Sequence, residues 1–234
     1  MPLPDFTVCV LLYGDYPALA AQCLEPLMRM VEMDLIDLRI GVNEISAATD
    51  QVLRDTGAWE CVMVREEVNA KKYPVMRKLF SWKEKAISTP YTMWFDDDSY
   101  IREGTDISKW LGVVKAFMHN WDMIGWIHTQ GLEGNQAEWM KVQPWYTGAS
   151  NALIHPGHRV RFATGGWWTA RTDILRKFDW PLKDLLHRGG DVMLGELCRQ
   201  QNFRLGQFKD GVEINTEKKR GFDSRPIGWD YKKQ

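Results

Sequence analysis

Short apolar runs separated by helical patterns organise the first half of the chain. The runs at residues 7–13, 38–42, 61–64 and 91–95 have strand length and read as buried strands. Between the first two, Leu19, Cys23, Leu24, Leu27 and Val31 recur at the three- and four-residue spacing of one buried helix face. A second helix is expected over 74–86, with Pro74 in the first turn, where its missing N–H has no helical partner to lose. Such alternation builds a parallel sheet with helices on its faces. The expected fold class is α/β: a Rossmann-like, mixed, mainly parallel central sheet flanked by helices.

A helical pattern over 107–120 leads into a strand at 123–127. Residues 130–161 then lose periodicity and collect Gly, Asn, Gln, Trp and His, so this stretch reads as a long functional loop. Order returns with a strand at 167–170, a helix opened by Thr172 as N-cap, and a helix over 191–201. No repeat or linker divides the chain, and one domain over 1–234 is expected.

Composition narrows the function classes. The chain has 234 residues, 44% of them apolar and 26% charged, with no apolar run of the roughly 18 residues that would cross a bilayer. The N-terminal segment lacks a basic start, so a soluble, cytoplasmic protein with no membrane partner is expected. Cys9, Cys23, Cys61 and Cys198 each lie in apolar segments without a C-x-x-C pair and read as buried thiols. The net charge of −1 gives no overall attraction to nucleic acid. Basic groups are local instead: Lys71, Lys72, Arg77, Lys78, Lys83 and Lys85 in one segment, Lys218, Lys219, Arg220 and Arg225 in another. Of the 12 tryptophans, Trp139, Trp145, Trp167 and Trp168 fall in loop-like stretches, where flat rings suit sugars or bases. No G-x-G-x-x-G follows the first strand, so no dinucleotide cofactor is expected.

The sharpest chemical signal is Tyr91-Thr92-Met93-Trp94-Phe95-Asp96-Asp97-Asp98-Ser99-Tyr100. An apolar strand ending in three carboxylates puts them at the carboxyl edge of a sheet, where open α/β folds bind ligands. Adjacent carboxylates repel one another, and a hard divalent ion such as Mg²⁺ or Mn²⁺ would relieve that repulsion while bridging phosphate oxygens. A solvated acidic turn is the plainer alternative.

FDDDSY after an apolar strand resembles the D-x-D signature of GT-A glycosyltransferases, and is similar to the DDD-T-Y form of the beta-1,3-galactosyltransferase and fringe families. Ala163-Thr164-Gly165-Gly166-Trp167-Trp168 is similar to their Gly-rich acceptor-side segment, and Gly190-Asp191-Val192-Met193-Leu194-Gly195 resembles their acidic D-V-x-x-G motif. Tyr13-Gly14-Asp15 and Asn43-Glu44 are similar to segments after the first two strands of family-2 glycosyltransferases. The resemblance spans roughly residues 7–200. A fainter similarity is to glycosyltransferases encoded beside DNA base-modifying oxygenases in phages.

The resemblance implies a metal-dependent transfer of a sugar from a nucleotide-diphosphate sugar, a UDP-sugar by expectation, to an acceptor hydroxyl. Residues 1–100 would form the donor half and 101–234 the acceptor half. Asp98 would be the principal ligand of Mn²⁺ or Mg²⁺, with Asp96 assisting and Asp97 on the donor ribose. Tyr13 and Asn43 would line the donor site, and Arg77 or Lys78 would reach its phosphates unless they form only a solvated basic face. Gly165, Gly166, Trp167 and Trp168 would meet the acceptor. Asp191 would be the general base of an inverting reaction, or a helix cap, or both. Gly190 stands where the family often has a second acid, and no histidine follows the acidic motif, so water or Asp223 would complete the metal shell.

The acceptor would be a glycan, a small molecule or a hydroxymethylated DNA base. A base would be held by Trp145, Trp167 or Trp168, with His155, His158, Arg159, Arg161 and Arg171 gripping phosphates. Other classes compatible with carboxylates on an α/β sheet are a nucleotidyltransferase and a nucleotide-binding module, the former disfavoured by the lack of a Gly-rich phosphate loop after the first strand.

Overall fold

The computed structural model describes residues 4–214 except Trp82 and Glu84. Lys218, Lys219, Arg220, Asp223 and Arg225 lie outside the described residues. Along the chain the elements are β1 (Phe6–Gly14), α1 (Pro17–Glu32), β2 (Ile36–Ile45), α2 (Ala47–Asp55), β3 (Val62–Glu66), α3 (Lys72–Phe80), β4 (Tyr91–Asp96) and β5 (Ser99–Ile101). There follow α4 (Ile107–Met118), β6 (Met123–Gly131), α5 (Gln136–Lys141), β7 (Arg159–Arg171), α6 (Thr172–Lys177), α7 (Gly190–Gln200), β8 (Leu205–Gln207) and β9 (Val212–Ile214).

Seven strands form one sheet in the order β3-β2-β1-β4-β7-β6-β8, and β5 and β9 form a separate ribbon. The strands β3, β2, β1 and β4 run parallel, β7 runs against both β4 and β6, and β8 is parallel to β6. The sheet is therefore mixed and mainly parallel, as expected, and it draws strands from both halves of the chain.

Central strands of such a sheet are covered on both faces, which is why β1 and β4 are continuous apolar runs rather than alternating ones. Side chains still alternate between the two faces. Trp94 and Trp168 join the core beneath α3 and α7, where their rings stack at 6.4 Å. Phe95 and Trp167 point the other way, into the core with α1 and α4, and Trp167 packs against Trp110 and Phe208.

Several expected boundaries are corrected. The helix expected over 74–86 begins at Lys72 and ends at Phe80, because Ser81 turns into the left-handed region at φ 43°. Thr172 is the first helical residue rather than the N-cap; Arg171 is the cap, and the Thr172 hydroxyl is shared with that of Thr92 at 2.9 Å. The region 130–161 is not one irregular loop. It contains α5 and the start of β7, and its Trp145 is 1% exposed, with the Trp145 carbonyl bonded by Gln201 just after α7. Cys9, Cys23 and Cys198 are buried thiols, whereas Cys61 is only partly buried.

Candidate active site

The pairing of β1 with β4 stops at Leu11 and Asp96, so β1 overshoots by Leu12, Tyr13 and Gly14 while β4 turns back through Asp97 and Asp98 into β5. Asp97 is carried inward by that turn. It is 3% exposed, and its Oδ2 accepts the Tyr13 backbone N–H at 3.2 Å. The middle carboxylate thus ties the turn to β1.

Asp96 follows Trp94 by two residues on β4 and shares its face. Its Oδ1 accepts the Trp94 indole N–H at 3.0 Å, and its Oδ2 accepts Lys72 Nζ at 2.7 Å. Lys72 opens α3, which covers that same face of the sheet. The position of Lys72 is set from β2. The buried Asn43 accepts the Ala70 N–H at 2.8 Å and donates to Asn69 at 3.2 Å, while Asn69 accepts the Lys71 N–H at 2.9 Å. Asn43 therefore fixes the lead-in to α3.

Asp98 is the third acid of the turn, with Ser99 Oγ at 3.5 Å. Burial and, next, the negative charge of Asp96 push its carboxyl up to about 6, with Lys72 working the other way. Its charge is thus incompletely compensated.

Opposite these acids, β7 leaves the ladder. Gly125 pairs with Trp168 and Ile127 with Ala163, so one residue of β6, Trp126, faces the four-residue stretch Thr164–Trp167. The bulge aims the Gly165 carbonyl at Lys72 Nζ, 2.8 Å away. A Cβ added at Gly165 would lie 2.9 Å from Lys72 Nζ and 3.8 Å from Asp191 Oδ2. One added at Gly166 would lie 2.9 Å from Ser99 Oγ and from Ile214 Cγ2. Gly165 is therefore the backbone point at which Lys72 and Asp191 come close together.

Asp191 is the second residue of α7; the cap is Gly189, at φ 79°, not Asp191. The Asp191 Oδ1 accepts the Val192 N–H at 3.0 Å, within the first turn. Beneath it lies the buried Tyr73, whose hydroxyl is pushed well above its ordinary pKa by burial and, next, by the Asp191 charge. Burial raises the Asp191 carboxyl above the usual range, partly offset by the charge of Lys72. A half-buried carboxyl with a raised affinity for protons suits proton removal from a hydroxyl.

Of the residues read from sequence, Asp96, Asp98, Gly165, Gly166 and Asp191 gather around this edge, with Tyr13 and Asn43 bracing it. Arg77 turns away: it donates to Asp179 and to the Asp179 and Pro181 carbonyls, and Lys78 pairs with Glu66. Trp167 and Trp168 are 0% and 3% exposed, so both rings are core. Among the other expected phosphate contacts, the buried His158 is bonded to Glu196, and Arg171 sits level with Tyr91 at the opposite end of β4, paired with Asp173. Sequence reasoning missed Lys72 and Tyr73; only their place at the start of a helix following the third strand hinted at a site role.

Among the described residues no three His, Cys, Asp or Glu side chains converge to hold a metal ion. What the turn offers is a pair of half-buried carboxylates, Asp96 and Asp98. Asp96 already has a cation in Lys72, and the charge of Asp98 is open to a second one.

No family profile matches the chain, and no curated protein matches it. Solved structures with the same fold do exist. A mannosyltransferase from Pyrobaculum calidifontis, in complex with GDP-Man and Mn²⁺, superposes with a TM-score of 0.57 at 12% identity over 88% of this chain and 55% of its own. The S. aureus protein TarS superposes with a TM-score of 0.51 at 15% identity over 88% of this chain and 35% of its own. This chain thus spans about half the length of the first and a third of the second.

Proposed function

We propose that the chain is a metal-dependent glycosyltransferase that moves a sugar from a nucleotide-diphosphate sugar to an acceptor hydroxyl with inversion. The observation that carries this is the meeting of Asp96 and Asp98, at the carboxyl edge of β4, with Asp191 across the Gly165 bulge. Donor acids and a raised-pKa acid facing one gap are the two halves of a glycosyl transfer site. The shared fold with a mannosyltransferase that binds GDP-Man and Mn²⁺ supports the same reading.

In this reading Asp191 takes the proton of the acceptor hydroxyl as that oxygen bonds to the anomeric carbon, and the bond from that carbon to the donor phosphate breaks. The nucleoside diphosphate leaves. Asp98 would hold Mn²⁺ or Mg²⁺ with water and the donor's own phosphates. When bound, such an ion neutralises the departing diphosphate, an effect worth several kcal/mol at the transition state. Tyr13 and Asn43 shape the donor side, and Gly165 and Gly166 keep the acceptor approach free of side chains. The one unit over 1–234 divides its work between a donor half, 1–100, and an acceptor half, 101–234. The donor is a UDP-sugar. The acceptor is a glycan or small-molecule hydroxyl, because two of the side chains that a DNA acceptor would use, His158 and Arg171, are engaged elsewhere.

The test is a panel of UDP- and GDP-sugars with Mn²⁺, assayed for transfer to glycans, small alcohols and hydroxymethylated DNA. Transfer to a glycan or small alcohol that stops in EDTA is expected. Modified DNA as the only acceptor would overturn the acceptor class, and no transfer from any donor would overturn the function.

A further inference from the structure

Arg77 and Lys78 are engaged outside the site, but Lys72 is drawn into it. Its side chain is 10% exposed, its Nζ contacts both Asp96 Oδ2 and the Gly165 carbonyl, and it lies 5.6 Å from the Trp94 ring centroid. An ammonium has three protons to donate. Two are accounted for by these contacts, and the third has no partner among the described residues.

We propose that Lys72 is the resident counter-ion of Asp96, which withholds Asp96 from the divalent ion and offers its remaining proton to a phosphate oxygen of the donor. The inference rests on the glycosyltransferase reading for its ligand and goes beyond it in dividing the acids: Asp96 belongs to lysine, Asp98 to metal.

The physical reason is one of charge. A divalent ion at Asp96 would stand beside an ammonium 2.7 Å from the same carboxylate, and like charges that close in a partly desolvated cleft repel strongly. The geometry also explains why no third acid is needed. An anionic diphosphate meets one fixed cation and one exchangeable one, and the fixed one is anchored by Asp96 and by a backbone carbonyl that the β7 bulge supplies.

The consequence is a pair of effects with opposite signs. Removing the lysine charge in Lys72→Met frees Asp96, so Mn²⁺ should bind the nucleotide-free protein about tenfold more tightly, read by the loss of the free-ion electron paramagnetic resonance signal. The same variant should bind UDP in EDTA about tenfold more weakly, read by calorimetry. Adding Asp96→Asn to Lys72→Met should return Mn²⁺ affinity to the starting value. Lys72→Arg, which keeps the charge, should leave Mn²⁺ affinity close to that of the unaltered chain.

Thermal melting of each variant identifies any that do not fold, and Lys72→Arg then carries the metal comparison against Asp96→Asn. A merely structural lysine would weaken both ligands or neither. Unchanged or weaker Mn²⁺ binding by a folded Lys72→Met protein, including no binding by either form, overturns the proposal. If UDP fails to bind even the unaltered chain, the glycosyltransferase reading fails, and the metal titration still decides whether Lys72 withholds Asp96.

Discussion

Tyr13 and Asp97, 84 positions apart, are joined by a bond from the Tyr13 N–H to Asp97 Oδ2 at 3.2 Å. That bond makes the central member of the acidic triplet a brace, buried at 3% exposure, while its two neighbours are half-buried.

Asp97→Ala should therefore cost about 1–3 kcal/mol of stability, since it strips a partner from a partly buried N–H and empties a buried position. Urea denaturation of this variant beside Asp98→Asn separates the roles. Asp98→Asn should be as stable as the unaltered chain at neutral pH or more so.

The raised carboxyl of Asp98 gives that difference a pH dependence. The folded state holds its proton up to about pH 6 against 3.8 unfolded, so the native form binds more protons over that interval. Stability contributed by the protonated acid is fully present below the unfolded value and is lost as pH rises through about 6. The loss should amount to about 1–3 kcal/mol. Melting curves between pH 4 and 7 in EDTA should show the decline, and Asp98→Asn should flatten it.

Gly190→Ala should disturb Asp191. A Cβ there would collide with the Tyr73 ring, which is buried and cannot yield. A cost of about 1–3 kcal/mol is expected from the clash, together with a fall in turnover as the first turn of α7 moves. Parallel melting and transfer assays would check it.

Trp168→Ala should lose about 3–5 kcal/mol through a cavity against Trp94 and Phe80, rather than changing acceptor affinity alone. An acceptor Michaelis constant that rises with no loss of stability would restore Trp168 to the surface role expected from the sequence.

The framework was legible because β1, β2 and β4 carry their signal locally, as apolar runs of strand length ending in turn or acidic residues. The carboxylates were legible for the same reason. By contrast α2 buries only Thr49 and Leu53, too sparse a face for a periodicity to show. The tryptophans of β7 were misplaced because Gly165 and Gly166 read as loop, whereas they form a bulge inside a long strand whose two faces are both covered. Lys72 was one cation among six in its segment. Its partners lie 24 and 93 residues away, and only the folded chain says which lysine turns inward.

The proposed function turns on removal of the acceptor proton by Asp191 in an inverting sugar transfer. Asp191→Asn keeps the shape and hydrogen-bonding capacity of the side chain but not its basicity. The measurement is the turnover number of Asp191→Asn at saturating donor, relative to the unaltered chain. A fall of about 10²–10⁴ is predicted, with the donor dissociation constant nearly unchanged and an inverted product from the unaltered chain. Turnover within a few-fold of normal, or a product of retained configuration, would contradict the account.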